Sequence, residues 1–119
     1  MREQAGDGEI VGPPEVGALI TASAEPRTRP AAMTWPRLET ATSLTTLVSG
    51  KPLEWSARQA YRELLEWIVE DYAIARPQAA LLLAMVAQAG ICQISNTDYT
   101  AYCVAPRDVG DLVCQDALD

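Results

Sequence analysis

The stretch LEWSARQAYRELLEWIVEDYA, residues 53–73, carries the clearest structural signal in the chain. Its apolar side chains recur at intervals of three and four residues, which is the spacing of one face of an α-helix. These side chains are Ala57, Ala60, Tyr61, Leu64, Leu65, Ile68 and Tyr72. The pattern predicts a long amphipathic helix that packs this face on a core. We interpret Glu70 and Asp71, near its end, as solvated carboxylates.

A second helix is predicted from Pro77 to Gly90. Proline suits the first helical position, and glycine suits the position just after the last turn. The centre of this segment, residues 81–86, is apolar almost all round. We therefore expect this helix to be buried.

Four further segments have the composition of strands. Residues 42–48 are rich in Thr, Leu and Val, and residues 33–39 are expected to be extended because Trp35 precedes a proline. Residues 9–24 indicate one long strand or two short ones, interrupted by Pro13 and Pro14. Residues 91–95 and 99–104 predict a closing hairpin. A two-residue loop in this hairpin would place Cys92 opposite Cys103, where a disulfide is geometrically conceivable.

The composition limits the classes of function. The chain has 119 residues, enough for one domain spanning residues 1–119. Its net charge of −7 argues against binding nucleic acid or an anionic membrane. It contains no histidine, which removes Ser-His-Asp and Cys-His machinery and histidine metal ligands from this chain.

The cysteines and the apolar runs indicate the compartment. The three cysteines have no C-x-x-C spacing, so a structural zinc site is not expected. The N-terminal residues lack the apolar core of a signal peptide, and the longest apolar run, residues 79–87, is too short to span a membrane. These features predict a cytoplasmic protein with reduced thiols.

Two carboxylates near the N-terminus form the candidate chemical site. They lie in the segment Gly6-Asp7-Gly8-Glu9-Ile10-Val11-Gly12. In an extended segment Asp7 and Glu9 would point to the same side, with Cα atoms roughly 6–7 Å apart. Such a pair suits a divalent cation or a positioned water. The alternative is an ordinary Asp-Gly hairpin turn.

Several segments in register together resemble the acetamidase/formamidase family, which hydrolyses short-chain amides to a carboxylate and ammonia. The first is the GDGE segment at residues 6–12. It is followed by WPRLE at 35–39, PLEWSAR at 52–58 with LEWIVEDY at 65–72, PQAALLL at 77–83, ICQI at 91–94 and Pro106-Arg107. The order and spacing agree from about residue 6 to residue 109, and they cover only the C-terminal part of the family.

The resemblance implies an α+β fold, with mostly antiparallel strands and two helices packed on one side. It implies that Asp7 and Glu9 are catalytic residues and ligands of a divalent metal, Zn²⁺ or Ca²⁺, acting on a small amide. It also implies a truncated or split chain that associates with a missing N-terminal half or with itself.

The sequence departs from the family at the positions that surround the carboxylates. The family usually has a histidine shortly before GDGE, and residues 1–5 contain none. Ala84 stands where the family often has serine, and Gln88 stands where it has an acidic residue. These departures support the alternative of a non-catalytic remnant that serves as an oligomerisation or interaction module.

Overall fold

Four strands and two helices form the part of the chain that the computed structural model describes, residues 17–30, 33–95 and 97–109. In chain order they are β1 (Arg37–Glu39), β2 (Ser43–Gly50), α1 (Leu53–Tyr72), α2 (Arg76–Val86), β3 (Gln88–Gln93) and β4 (Tyr99–Pro106). The strands form one antiparallel sheet in the order β1-β2-β4-β3. The predicted α+β class is confirmed.

The core lies between one face of this sheet and the two helices. Alternate residues of β2 and β4 are buried, including Leu44 and Val48 on β2 and Cys103 on β4. They meet the apolar stripe of α1, in which Leu64 and Ile68 are fully buried. Both helices pack on this face of the sheet. Because successive strand residues point to opposite faces, the residues between the buried ones point to the other side.

Helix α1 matches its prediction closely. It begins after Pro52 and ends at Tyr72, where Ala73 adopts the left-handed conformation with φ 53° and ψ 38°. The hydroxyl of Thr46 on β2 donates a 2.6 Å hydrogen bond to the carbonyl oxygen of Ala60. This bond attaches the helix to the sheet in the middle of the core.

Helix α2 is shorter and more exposed than predicted. It ends at Val86, and Gly90 lies within β3, paired with Tyr102. Gly90 is therefore not a helix cap, because the pairing of β3 with β4 takes this segment into the sheet. The prediction of a buried helix is also wrong, since Leu81 and Met85 are 66% and 70% exposed.

The strand predicted over residues 9–24 is absent from residues 17–24. Residues 17–24 are exposed and belong to no strand, and residues 9–16 lie outside the described residues. Residues 33–39 are extended only in part, as β1 covers Arg37–Glu39. The strand predicted at 42–48 is confirmed as β2.

The predicted register of the closing hairpin is wrong. Cys103 pairs with Ala89, and an irregularity between Ile91 and Gln93 takes Cys92 out of the ladder. Cys92 is exposed and Cys103 is buried, and both are free thiols. A bulge shifts the facing of every residue beyond it, which the spacing of the two cysteines could not reveal.

Candidate functional site

The two carboxylates of the sequence-based site, Asp7 and Glu9, lie outside the described residues. Their catalytic and metal-binding roles therefore remain predictions. Within residues 17–30, 33–95 and 97–109, no group of three His, Cys, Asp or Glu side chains could hold a metal ion. Likewise, neither described helix is long and apolar enough to cross a membrane.

The two positions at which the sequence departs from the family are both exposed. Ala84 lies on the outer side of α2, between Leu81 and Met85. Gln88 is the first residue of β3 and pairs with Val104 of β4. Helix and strand join through Ala87 alone, so the two positions are close along the chain but belong to different elements.

Gln88 lines a small cavity at one end of the sheet. The cavity has a volume of about 260 Å³ and is also lined by Thr42, Ser43 and Val104. The Ser43 hydroxyl lies 2.8 Å from the hydroxyl of Thr40. A carboxamide and two hydroxyls can form hydrogen bonds with a neutral polar group, but they carry no charge and do not titrate near neutral pH. These groups suit binding and do not activate water.

A buried arginine forms the most unusual polar feature of the described residues. The Arg37 side chain is 7% exposed, and its guanidinium carbon lies 5.2 Å from the centre of the Trp67 ring. Its Nη1 is 3.9 Å from Oε1 of Glu70. Among the described residues, Nε and Nη2 of Arg37 have no hydrogen-bond partner. Stacking on the indole compensates part of the cost of removing this cation from water.

A buried glutamate lies on α1 one turn before the same tryptophan. Glu63 is 5% exposed, and its Oε1 accepts a hydrogen bond from the hydroxyl of Thr34. Its Oε2 has no hydrogen-bond partner among the described residues. Glu63 thus attaches the segment before β1 to α1, as Arg37 attaches β1 itself. This arrangement fixes the edge of the fold, and no sequence pattern singled out Glu63.

The two carboxylates interpreted as solvated each have a partner. Glu70 lies beside Arg37, and Asp71 accepts a 2.7 Å hydrogen bond from the indole nitrogen of Trp67. Both residues remain exposed. Their position at the end of α1, which the helix dipole disfavours for acidic groups, is therefore offset by specific contacts.

A second cavity lies where β4 ends. It measures about 580 Å³ and is lined by Thr42, Tyr72, Arg107 and Asp108 together with Ala41. The Arg107 guanidinium binds Glu39 at 2.8 Å, and the Tyr72 hydroxyl donates to the Arg107 carbonyl oxygen. Because Glu39 neutralises the arginine, this cavity does not present a free positive charge to an anion.

The two described thiols are not activated. Burial raises the pKa of Cys103 to about 11, and burial also raises the pKa of Cys92. A thiolate nucleophile needs the opposite shift. Neither cysteine has the electrostatic environment of a catalytic thiol at neutral pH.

The fold is similar to part of solved acetamidases. Acetamidase from Yersinia enterocolitica matches with a TM-score of 0.63 and 28% identity over 66% of this chain. Acetamidase from Bacillus halodurans matches with a TM-score of 0.58 and 25% identity over 63% of it. A predicted acetamidase/formamidase from Thermoanaerobacter tengcongensis matches with a TM-score of 0.55 over 67%, and at 19% identity it supports the fold alone.

These matches confirm the resemblance to the acetamidase/formamidase family. The match covers 24% or 25% of each of these proteins, so the chain spans about a quarter of their length. The sequence matches no protein-family model and no curated protein. What the comparisons establish is an amidase-type fold over about two thirds of the chain.

Proposed function

We propose that this chain contributes the Asp7–Glu9 carboxylate pair to an amide hydrolase of the acetamidase/formamidase type. The observation that carries the proposal is the structural match to Yersinia enterocolitica acetamidase, at 28% identity over 66% of the chain. The register of the GDGE segment with the segments that follow it supports the assignment of the site. The substrates are short-chain amides such as formamide and acetamide, and the products are a carboxylate and ammonia.

The chemistry of the two carboxylates fits amide hydrolysis. The reaction needs a water that loses a proton as it attacks and stabilisation of the tetrahedral oxyanion. In the proposal one carboxylate accepts that proton, and the pair together holds a divalent cation. When bound, Zn²⁺ or Ca²⁺ supplies Lewis acidity at the amide carbonyl.

The proposal includes a second polypeptide surface that completes the site. The chain spans about a quarter of the acetamidases it resembles, and it contains no histidine. Ala84 and Gln88, which stand in place of polar and acidic family residues, are exposed on this chain. An N-terminal portion of the same fold would therefore supply the remaining polar groups and close the site.

Ammonia release tests this function. The purified chain is incubated with formamide or acetamide, with added Zn²⁺ or Ca²⁺ and with neither. It is assayed alone and mixed with the N-terminal portion of Yersinia acetamidase, and the full-length Yersinia enzyme serves as positive control. We expect ammonia release that Asp7→Asn and Glu9→Gln each abolish. Absence of release in every arm would refute the proposal.

A second candidate function is a non-catalytic interaction module. The exposed apolar side chains Leu81 and Met85 on α2 favour it, because large apolar residues grouped on a surface commonly mark contact sites. Two results together would select this candidate. The unmodified chain would hydrolyse no amide, and a chain carrying Asp7→Asn and Glu9→Gln would associate as strongly as the unmodified chain.

A further inference from the structure

Strand β3 has a free side within the described part of the chain. The sheet order β1-β2-β4-β3 places it at one edge, and β4 is its only strand neighbour among the described residues. Alternate residues of an edge strand direct their backbone N–H and C=O groups away from the sheet. The outer side of β3 therefore offers hydrogen-bond donors and acceptors to one further strand.

Strand β3 also lacks most of the features that protect edge strands from pairing. Residues 88–93 contain no proline and no charged side chain, and the irregularity between Ile91 and Gln93 affects only one end. The opposite edge strand, β1, has three residues, of which Arg37 and Glu39 are charged. Short length, charge and proline are common means of preventing edge pairing. Of the two edges, β3 is therefore the one open to an added strand.

A groove lies beside this edge, on the side of the sheet that the helices cover. It has a volume of about 340 Å³, and its described lining comes from the start of α1, from β3 and from β4: Leu53, Glu54, Ala57, Ala89, Gly90, Ile91 and Ala101. We call it the β3 groove. Ala89 and Ile91 pair with the buried residues Cys103 and Ala101. Residues paired across two strands lie on the same face, so a strand added beside β3 would direct alternate side chains into this groove.

One charged side chain lies in the β3 groove. Glu54, in the first turn of α1, is the only charged residue among the described residues that line it. Within the described part of the chain, its carboxylate forms no ion pair and no hydrogen bond. A basic side chain that entered the groove would find an opposite charge there, and the net charge of −7 also attracts a basic partner.

We propose that β3 binds an extended segment of another polypeptide, which adds one strand to the sheet. This segment has an apolar side chain that enters the β3 groove and, two residues away, a Lys or Arg that lies beside Glu54. Residues at this spacing in a strand point to the same side and lie roughly 6–7 Å apart. In such strand addition the backbone hydrogen bonds supply affinity, and the pockets for alternate side chains supply specificity.

Charge distinguishes this partner from a second copy of the chain. Antiparallel pairing of two β3 strands would place both Glu54 carboxylates on the same face of the joined sheet, and neither β3 supplies a cation. The exposed segment at residues 17–24 contains Leu19 and Ile20 but no basic residue. A segment of different sequence that combines apolar and basic side chains is the occupant that fits the β3 groove.

Binding of a designed peptide tests the proposal. The probe is fluorescein-labelled Thr-Val-Thr-Leu-Thr-Lys-Thr, titrated with the purified chain to about 1 mM and followed by fluorescence anisotropy. We expect saturable binding, weakened about tenfold or more when Thr replaces the Leu of the peptide, because the apolar contact is lost. Replacing its Lys by Glu should weaken binding about threefold or more. N-methylation of one alternate set of peptide amides should abolish binding, whereas methylation of the other set should not, because only one side of the peptide meets β3.

A variant of the chain tests the role of Glu54. Glu54→Gln should remove the preference for the Lys peptide over the Glu peptide. Glu25→Gln is the matched control, because it removes the same charge from a side chain that is 68% exposed and lies outside the β3 groove. It should leave the preference unchanged.

Hydrogen exchange locates the bound peptide. Exchange of the amides of β3 should slow when the peptide binds, and exchange of the amides of β1 should not. Absence of binding, equal binding of the Lys and Glu peptides, or slower exchange at β1 alone would overturn the proposal. Tighter binding of a peptide with the sequence of residues 17–24 would also overturn it, because the chain would then supply the strand itself. None of these measurements depends on amide hydrolysis, so their failure is distinct from failure of the proposed function.

Discussion

The ring of Tyr102 on β4 occupies the space that a side chain at Gly90 on β3 would need. A Cβ atom built on Gly90 would lie 2.4 Å from both Cζ and the hydroxyl oxygen of Tyr102. The two residues are directly paired across the strands. Gly90 therefore allows the tyrosine to lie across the outermost strand of the sheet, which explains a glycine within a strand.

We expect Gly90→Ala to lower the free energy of unfolding by about 1–3 kcal/mol, because the methyl group displaces the Tyr102 ring. Chemical denaturation measures the change. Gly17→Ala is the control, since a Cβ at Gly17 would meet nothing within 4 Å. In a Tyr102→Ala background the same Gly90→Ala substitution should become neutral or slightly stabilising. An equal loss in both backgrounds would show that the ring is not the cause.

Replacing Ala73 by glycine should stabilise the protein. Ala73 ends α1 with φ 53° and ψ 38°. This left-handed conformation is energetically unfavourable for any L-residue that has a Cβ atom. We expect Ala73→Gly to raise the free energy of unfolding by about 0.5–1 kcal/mol. Ala57→Gly, within the same helix, should lower it by about 1 kcal/mol. Thermal denaturation of the two variants tests this, and the same sign for both would contradict the left-handed end of α1.

The protein should lose stability in alkaline solution through Cys103. Burial raises the pKa of this thiol from 9.0 to about 11, so between these values the folded protein retains a proton that the unfolded chain releases. This contribution to the free energy of unfolding is complete below pH 9 and is lost as the pH rises towards 11.

The variant Cys103→Ala isolates this effect. It should lower the free energy of unfolding at neutral pH. In a series of denaturation curves at rising pH, the free energy of unfolding should fall less steeply between pH 9 and pH 11 than in the unmodified protein. Burial and the charge of a Cys103 thiolate both raise the pKa of Tyr61, so Cys103→Ala also changes this titration. Both proteins therefore carry Tyr61→Phe in the comparison. Equal slopes for the two proteins would contradict the assignment to Cys103.

The fold class and the longest elements were predictable because they depend on local patterns. The stripe in residues 53–73 and the Thr, Leu and Val content of residues 42–48 correctly predicted α1 and β2. The errors arose where distant residues decide the structure. Pairing with Tyr102 takes Gly90 into a strand, and a bulge separates Cys92 from Cys103. These contacts join residues far apart in sequence.

The polar residues of the candidate site also differ in whether the sequence could predict them. Asp7 and Glu9 were identified from a motif and stay a prediction, because they lie outside the described residues. The contacts of Arg37 with Trp67 and of Glu63 with Thr34 join residues about 30 positions apart. No local pattern of apolar and polar residues encodes such contacts. The structure was needed to find them.

The most direct test of the account compares ammonia release by two aspartate variants under matched conditions. Asp7→Asn removes a carboxylate of the proposed site, whereas Asp98→Asn removes an exposed one beside the closing hairpin. With acetamide as substrate, Zn²⁺ or Ca²⁺ present and the N-terminal portion of Yersinia acetamidase added, we expect Asp7→Asn to lower the rate by about 10²–10⁴-fold and Asp98→Asn to leave it unchanged. Equal rates for Asp7→Asn and the unmodified chain, or no release by either, would contradict it.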